Sequence, residues 1–282
     1  YYKGPIFSPA RLIVTCHDLH FLDLDSIAPG ELLKRYYCRT ILKHANTIIA
    51  VSEYSKQTIE NFLGNKSSRI EVVFDSVSDK FKPMDKKASL DELKQSFNLN
   101  PDFILYVGNL KPHKNLDGLI EAYGLLPSSL KQAHQLVIAG KKDENFLRLW
   151  KFIKSKSLEN NVVFLDLVND EDLICLYNAS SFLALVSFCE GFGLPALEAM
   201  ACGIPVLVSN TTSLPEIVAD MGLQADPHNS QEIAHYMEKL LTDESLRQML
   251  SAKGLIRAKN FTIADMAEKI LKIFKQNYKY LF

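Results

Sequence analysis

Short apolar runs rich in β-branched residues alternate with segments of helical period along most of the chain. This alternation restricts the architecture more than any other feature of the sequence. The runs Arg11–Thr15, Thr47–Val51, Arg69–Phe74, Phe103–Val107, Gln135–Ala139, Val162–Leu165, Ser181–Leu185 and Pro205–Ser209 read as strands. Between them, Glu31–Lys43, Glu53–Leu63, Leu116–Tyr123, Phe146–Ser155 and Asp170–Tyr177 read as helices, with Ser52 an N-cap for the second. Helix-length crossovers between strands imply parallel sheets covered on both faces, so the expected class is α/β, doubly wound. The polar stretch Asp75–Asn100 breaks the rhythm and is expected to join two domains, with a short helix over Leu90–Phe97. The boundaries that follow are 1–84, a linker at 85–100, 101–262, and a terminal helix in 263–282. Five βα units run from Phe103 to Asp220, and the tail beyond Ser230 reads as helices only. The first part holds three strands, which is short for an independent doubly wound domain of ~100–150 residues.

Charge and cysteine content narrow the function classes. Thirty-two Lys+Arg against 33 Asp+Glu give a net charge of -1, which does not favour a nucleic-acid partner. The five cysteines, Cys16, Cys38, Cys175, Cys189 and Cys202, are odd in number and form no CxxC pair. They read as reduced, buried thiols of a cytoplasmic protein. Runs of ~18–20 apolar residues that would cross a bilayer are absent. The opening Tyr1–Lys3 is not a secretory leader, and without an initiator Met an upstream part is expected to be missing.

The densest chemical signal is the stretch Ser187–Val206, SFCEGFGLPALEAMACGIPV. It lies between two expected strands as a loop with two glycines followed by a helix starting near Pro195 and ending at Cys202–Gly203. Glycine lets backbone approach a ligand closely, and a helix N-terminus offers unpaired N–H groups to an anion such as a diphosphate. Glu190 falls in the loop and Glu198 about one turn into the helix. Taken alone, such a pair is more often two solvated carboxylates near a helix start. In this setting it resembles the Glu-x7-Glu signature of the group 1 retaining glycosyltransferases of GT-B fold, and the flanking GFGLP, LEAMACGIPV and SLPEI (Ser213–Ile217) match that family too. The resemblance implies that Glu190 binds donor-sugar hydroxyls and Glu198 the ribose of the nucleotide. Backbone amides of Gly191, Phe192, Gly193 and Leu194 would meet the distal phosphate or the sugar.

Other segments carry the same resemblance. Leu105–Leu116, LYVGNLKPHKNL, leaves a strand at Gly108 and places Lys114 where the family has a Lys, expected to enter the next helix and stabilise a departing diphosphate. Asn109 stands where the family often has Arg, and His113 or Lys111 could substitute for that cation. A surface Lys at a helix start is the plainer reading of Lys114, although the dipole disfavours it there. Val14–His20 carries His17-Asp18, similar to the family's T-x-H-D, so His17 would face the diphosphate or the sugar. A satisfied loop His is the competing reading. Val51–Lys56 resembles the family's VSEYSK element, and Glu216 in SLPEI has a counterpart near the donor pocket; its alternative is a helix-entry Glu after Pro215. Asp23-Leu24-Asp25 has a metal-binding D-x-D form but no nucleotide motif beside it and is read as chance. A dinucleotide GxGxxG, a P-loop and zinc spacing are all missing.

The resemblance implies GT-B architecture: two doubly wound Rossmann-like domains facing a cleft, the first an incomplete acceptor-side domain, the second (101–262) the donor-binding domain. It implies a metal-independent, cofactor-free hexosyl transfer with retention from a nucleotide diphosphate sugar, with a lean toward GDP-mannose, to a glycan or lipid-linked acceptor in polysaccharide or lipopolysaccharide assembly. A lipid-linked acceptor would bring the protein to the cytoplasmic membrane face, with Lys34, Arg35, Tyr36 and Tyr37 as contact candidates; a solvated amphipathic helix is the simpler reading of those four. A truncated or degenerate homologue that binds nucleotide or a partner without catalysis is the competing class, favoured by the short first domain and Asn109. A sugar-nucleotide epimerase fits the EGFGLP stretch less well.

Overall fold

A computed structural model describes Pro5 and residues 8–19, 29–67, 69–94, 96–97 and 99–278. The chain divides into two compact units. One gathers Tyr1–Ser76, Glu190–Gly193 and Phe261–Phe282; the other gathers Val77–Cys189 and Leu194–Asn260.

The first unit carries a parallel sheet of β1 (Ile13–Cys16), β2 (Thr47–Ala50) and β3 (Ile70–Val72), in that order. The helices α1 (Pro29–His44) and α2 (Glu53–Leu63) are the crossovers. Ser52 caps α2, its Oγ accepting from Ser55 N at 3.0 Å, and Gly64 ends the helix in the left-handed conformation. On one face of the sheet Cys38, Ile41 and Leu42 of α1 and Ile59 and Leu63 of α2 form a core with Val14, Ile48 and Ala50. On the other face lies α12 (Ile263–Tyr278), whose Met266, Ile270 and Ile273 pack on Ile13, Ile49 and Val73. Asn277 of α12 exchanges a buried hydrogen bond with Thr47, with Oδ1 and Oγ1 3.1 Å apart.

The second unit is a six-stranded parallel sheet of order β6-β5-β4-β7-β8-β9. Its strands are β4 (Phe103–Val107), β5 (Gln135–Ala139), β6 (Val162–Leu165), β7 (Phe182–Leu185), β8 (Val206–Ser209) and β9 (Leu223–Ala225). The central strands are buried except at Val107 and Gln135, which are partly exposed at the strand ends, as expected of a sheet covered on both faces. The covering helices are α3 (Lys86–Leu93), α4 (Leu116–Leu125), α5 (Ser128–Ala133), α6 (Phe146–Ser155), α7 (Asp170–Ala179), α8 (Leu194–Ala201), α9 (Leu214–Val218), α10 (Ser230–Thr242) and α11 (Glu244–Ala258). From β4 the chain winds outward through β5 and β6, then returns and winds the other way through β7, β8 and β9. The β4/β7 boundary is therefore the switch point, outside whose carboxyl ends doubly wound sheets bind ligands.

Some local expectations need adjustment. β9 escapes the sequence because its three residues Leu-Gln-Ala carry no β-branched side chain. The short helix expected over Leu90–Phe97 runs over Lys86–Leu93, because the Asp85 side chain caps it by accepting from Ala88 N at 2.8 Å. That helix packs on α7 within the second unit. There Asn178 holds the preceding segment, accepting from Met84 N at 2.7 Å and donating to Lys82 O at 3.2 Å.

Candidate nucleotide-sugar site

The loops leaving β4 and β7 at the switch point are tied to each other. Phe188 N donates to His113 O at 2.9 Å, and the Asn115 amide donates to Val186 O at 2.9 Å and to Pro227 O at 2.7 Å. Asn115 is buried, adopts the left-handed conformation, and its Oδ1 caps α4 by accepting from Gly118 N at 3.2 Å. One Asn side chain thus holds three connections of the sheet together. The sequence gives little notice of it, since its signal is only that Asn tolerates a positive φ and caps helices.

Gly108 follows β4, and its N–H bonds Ala139 O at 3.0 Å. Gly140 ends β5 directly against it: a Cβ at Gly140 would run into the Gly108 carbonyl oxygen, so only glycine lets these strand ends approach. Asn109 is exposed, with its carbonyl accepting from the buried Tyr106 hydroxyl at 2.7 Å. Lys114 is half-buried and closes a 3-10 turn, Pro112–Lys114, ahead of the Asn115 cap. It therefore precedes α4 instead of entering it, and the expected dipole conflict of a cation inside the helix start does not arise in that form.

After β7, Glu190 is buried (8% exposed), Gly193 takes φ 109, and α8 begins at Leu194. Glu198 lies in the second turn of α8. Its Oε2 accepts from the Tyr177 hydroxyl of α7 at 2.7 Å, and burial raises the carboxyl pKa against the lowering influence of that bond and of Lys80. Glu216 lies half-buried in α9; its backbone carbonyl and that of Ile217 accept from Arg257 at 2.6 and 2.9 Å.

Residues of the first unit hold the Glu190–Gly193 loop. The carbonyl of Gly191 accepts from the hydroxyls of Ser52 at 2.7 Å and Ser55 at 3.1 Å. A Cβ at Gly191 would run into the carbonyl oxygen of His17. Phe192 packs with Phe74 and Phe261 at ring separations of 6.1 and 5.9 Å. The VSEYSK element thus has a second role, since its serines both cap α2 and hold the glycine loop. His17, past β1, has Nδ1 3.7 Å from Asp75 Oδ2, and that carboxylate raises the imidazole pKa. His20 and the Asp23-Leu24-Asp25 motif lie outside the described residues. Among the described residues no group of three or more His, Cys, Asp or Glu could hold a metal ion, and no helix is long and apolar enough to cross a membrane. All five cysteines are buried thiols, and burial pushes Cys202 up to about 12.

Comparison with known proteins agrees with this geometry. Residues 90–257, which include β4 to β9, match the family described as Glycosyl transferases group 1. The O-antigen chain mannosyltransferase B of Escherichia coli is 34% identical over 281 residues, covering 97% of this chain and 74% of that protein. The serotype-specific mannosyltransferase WbdA of Escherichia coli is 33% identical over 272 residues, 94% of this chain but 33% of that longer protein. The crystal structure of Anabaena HepE in complex with UDP and glucose superposes with a TM-score of 0.81 at 20% identity, over 94% of this chain and 71% of that one. With its doubly wound sheet, its Glu-x7-Glu loop and helix, and a 34% identical relative matched over most of its length, the chain belongs to the group 1 glycosyltransferases and has their GT-B fold.

Proposed function

We propose that the protein transfers mannose from GDP-mannose to a glycan or lipid-linked acceptor in O-antigen or related polysaccharide assembly, with retention and without a metal ion. The observation that carries this reading is the pair of linked loops at the β4/β7 switch point, where glycine backbone, Lys114, the start of α8 and a half-buried Glu198 meet the needs of a sugar diphosphate. The mannosyltransferase names of the relatives favour mannose. In this reading the second unit is the donor-binding domain and the first the acceptor-side domain.

The residue roles are those that the family resemblance implies. Glu198 accepts from the ribose hydroxyls and Glu190 from hydroxyls of the sugar. Amides of Gly191, Phe192, Gly193 and Leu194, with Gly108 and Asn109, approach the diphosphate or the sugar. Lys114, His113 and His17 offset the negative charge that grows on the leaving diphosphate, and Glu216 lines the donor pocket. The bond from the anomeric carbon to the phosphate oxygen breaks through an oxocarbenium-like state. The acceptor oxygen attacks from the same face, and its proton passes to the departing phosphate. The protein supplies position and electrostatics and forms no covalent intermediate. Peripheral membrane contact rests on α1, where Leu33 and Tyr36 are 69% and 70% exposed beside Lys34 and Arg35.

Incubation with GDP-mannose and a panel of UDP-sugars, with mannosylated and lipid-linked acceptors and with or without EDTA, tests the proposal. The expected product is an α-mannoside formed equally well in EDTA. Inversion, loss of turnover in EDTA, or exclusive use of a UDP-sugar would contradict it.

A further inference from the structure

Beneath the candidate ribose-binding carboxylate lies a buried phenol to which neither the motif nor the proposed chemistry gives a role. Tyr177 is fully buried in α7, its ring packed edge-on against Phe81 at 5.8 Å. A hydroxyl taken that far from water needs a partner. Tyr177 has a charged one: it donates to Glu198 Oε2 at 2.7 Å, a charge-assisted bond between adjacent helices.

We infer that Tyr177 is a positioning residue for nucleotide binding, holding Glu198 by one carboxylate oxygen so that the other is presented to the ribose hydroxyls. The inference rests on the proposed role of Glu198 and adds to it the device that fixes that side chain. A Glu has three side-chain torsions, and its free rotation would oppose a two-point contact with a diol. One short bond to a phenol packed on Phe81 removes much of that freedom before the ligand arrives.

The bond also favours the ionised form of Glu198. Burial raises its carboxyl pKa; the Tyr177 bond and Lys80 lower it, and Asp170 at the start of α7 raises it. Just past the end of α8, Cys202 is held as a thiol by burial and by Glu198. Tyr177 stays protonated, because burial and Glu198 hold its pKa far above the ordinary phenol range. Loss of the phenol would therefore move the Glu198 pKa upward, and acceptance from ribose would fade at a higher pH than in the native protein.

The test is titration of the full chain with GDP, UDP and ADP between pH 6 and 9, followed with the tightest binder. The proteins are wild type, Tyr177→Phe, Glu198→Ala and the double variant. Tyr177→Phe is expected to weaken binding about tenfold at the lower pH, to recover part of that loss as pH rises, and to raise the donor KM with kcat unchanged. In the Glu198→Ala background it should have no further effect. Should Tyr177→Phe fail to fold, 3-fluorotyrosine placed at position 177 gives a second readout: its 19F resonance should move on nucleotide binding in the native background and stay still in Glu198→Gln. If Glu198→Ala binds as wild type does, the donor-site reading fails and this inference fails with it. If Glu198→Ala loses binding while Tyr177→Phe keeps wild-type affinity and pH profile, or the 19F resonance does not respond, the positioning role alone is wrong and Tyr177 is only packing.

Discussion

The two units follow the same parallel βα logic but complete their cores differently. The second builds six strands and their helices from two nearly contiguous stretches, 77–189 and 194–260. The first has three strands among the described residues and covers one face with α12, joined to β2 by a hydrogen bond between residues 230 apart in the chain. Its Gly191 loop likewise arrives from the middle of the chain. Local sequence specifies the second unit, whereas the first depends on contacts of long range. In the proposed reading the second unit supplies nucleotide recognition.

Substitutions can break this comparison, and the largest effect is expected at Lys114. Lys114→Ala should lower kcat about a thousandfold, near 4 kcal/mol of transition-state stabilisation, while the melting temperature barely moves. Steady-state kinetics beside a thermal melt would check this, and an unchanged kcat would remove Lys114 from the chemistry. The next effect is on stability in the first unit. Ile273 is 5% exposed, and Ile273→Ala should cost about 3 kcal/mol. Urea unfolding should then show an early phase confined to the first unit, with nucleotide binding intact until the later one. A single shifted transition would show that the units do not unfold separately.

A smaller change, of opposite sign, is expected at Glu198. Its folded-state pKa is raised by burial, so the ionised form costs stability once pH exceeds that value, and the cost disappears as pH falls and the carboxyl protonates. Glu198→Gln should therefore raise the melting temperature at pH 8 by on the order of 2 °C and have little effect at pH 4, while weakening nucleotide binding. A lower melting temperature at pH 8 would mean that the carboxylate stabilises the fold. The smallest effect belongs to His17. Asp75 raises its folded pKa above 6.5, so the pair contributes stability below pH 6.5 that is lost as pH rises through the raised value. The pair is partly exposed, so Asp75→Asn should remove only a slight acid-side gain and lower the His17 pKa, readable by NMR titration. An unmoved His17 pKa would show that Asp75 is not its partner.

The sequence carried the second unit well because its signals are local. Continuous apolar strands and Gly108 speak for themselves within a few residues, and so does the Glu-x7-Glu spacing, although its loop, Glu190–Gly193, belongs to the first unit. It carried the long-range arrangements poorly. That Asn115 bonds two distant loops, that Ser52 and Ser55 hold Gly191, and that Tyr177 holds Glu198 all depend on which elements become neighbours. Each of these side chains has an ordinary local reading as a cap or a core aromatic. β9 was illegible for another reason: three residues without β-branching make a strand only because β8 offers an edge to pair with.

The central claim is that the β4/β7 switch point binds a nucleotide diphosphate sugar through Glu198 and Lys114. Thermal stabilisation of the purified chain by GDP, UDP, ADP and their sugar conjugates tests it most directly, with Glu198→Ala and Lys114→Ala alongside. At 100 times its dissociation constant a ligand should add about 2.7 kcal/mol of stability. The account predicts a selective shift, largest with GDP-mannose, much reduced in both variants. An equal shift in wild type and both variants, or no shift with any nucleotide from a well-folded chain, would contradict it.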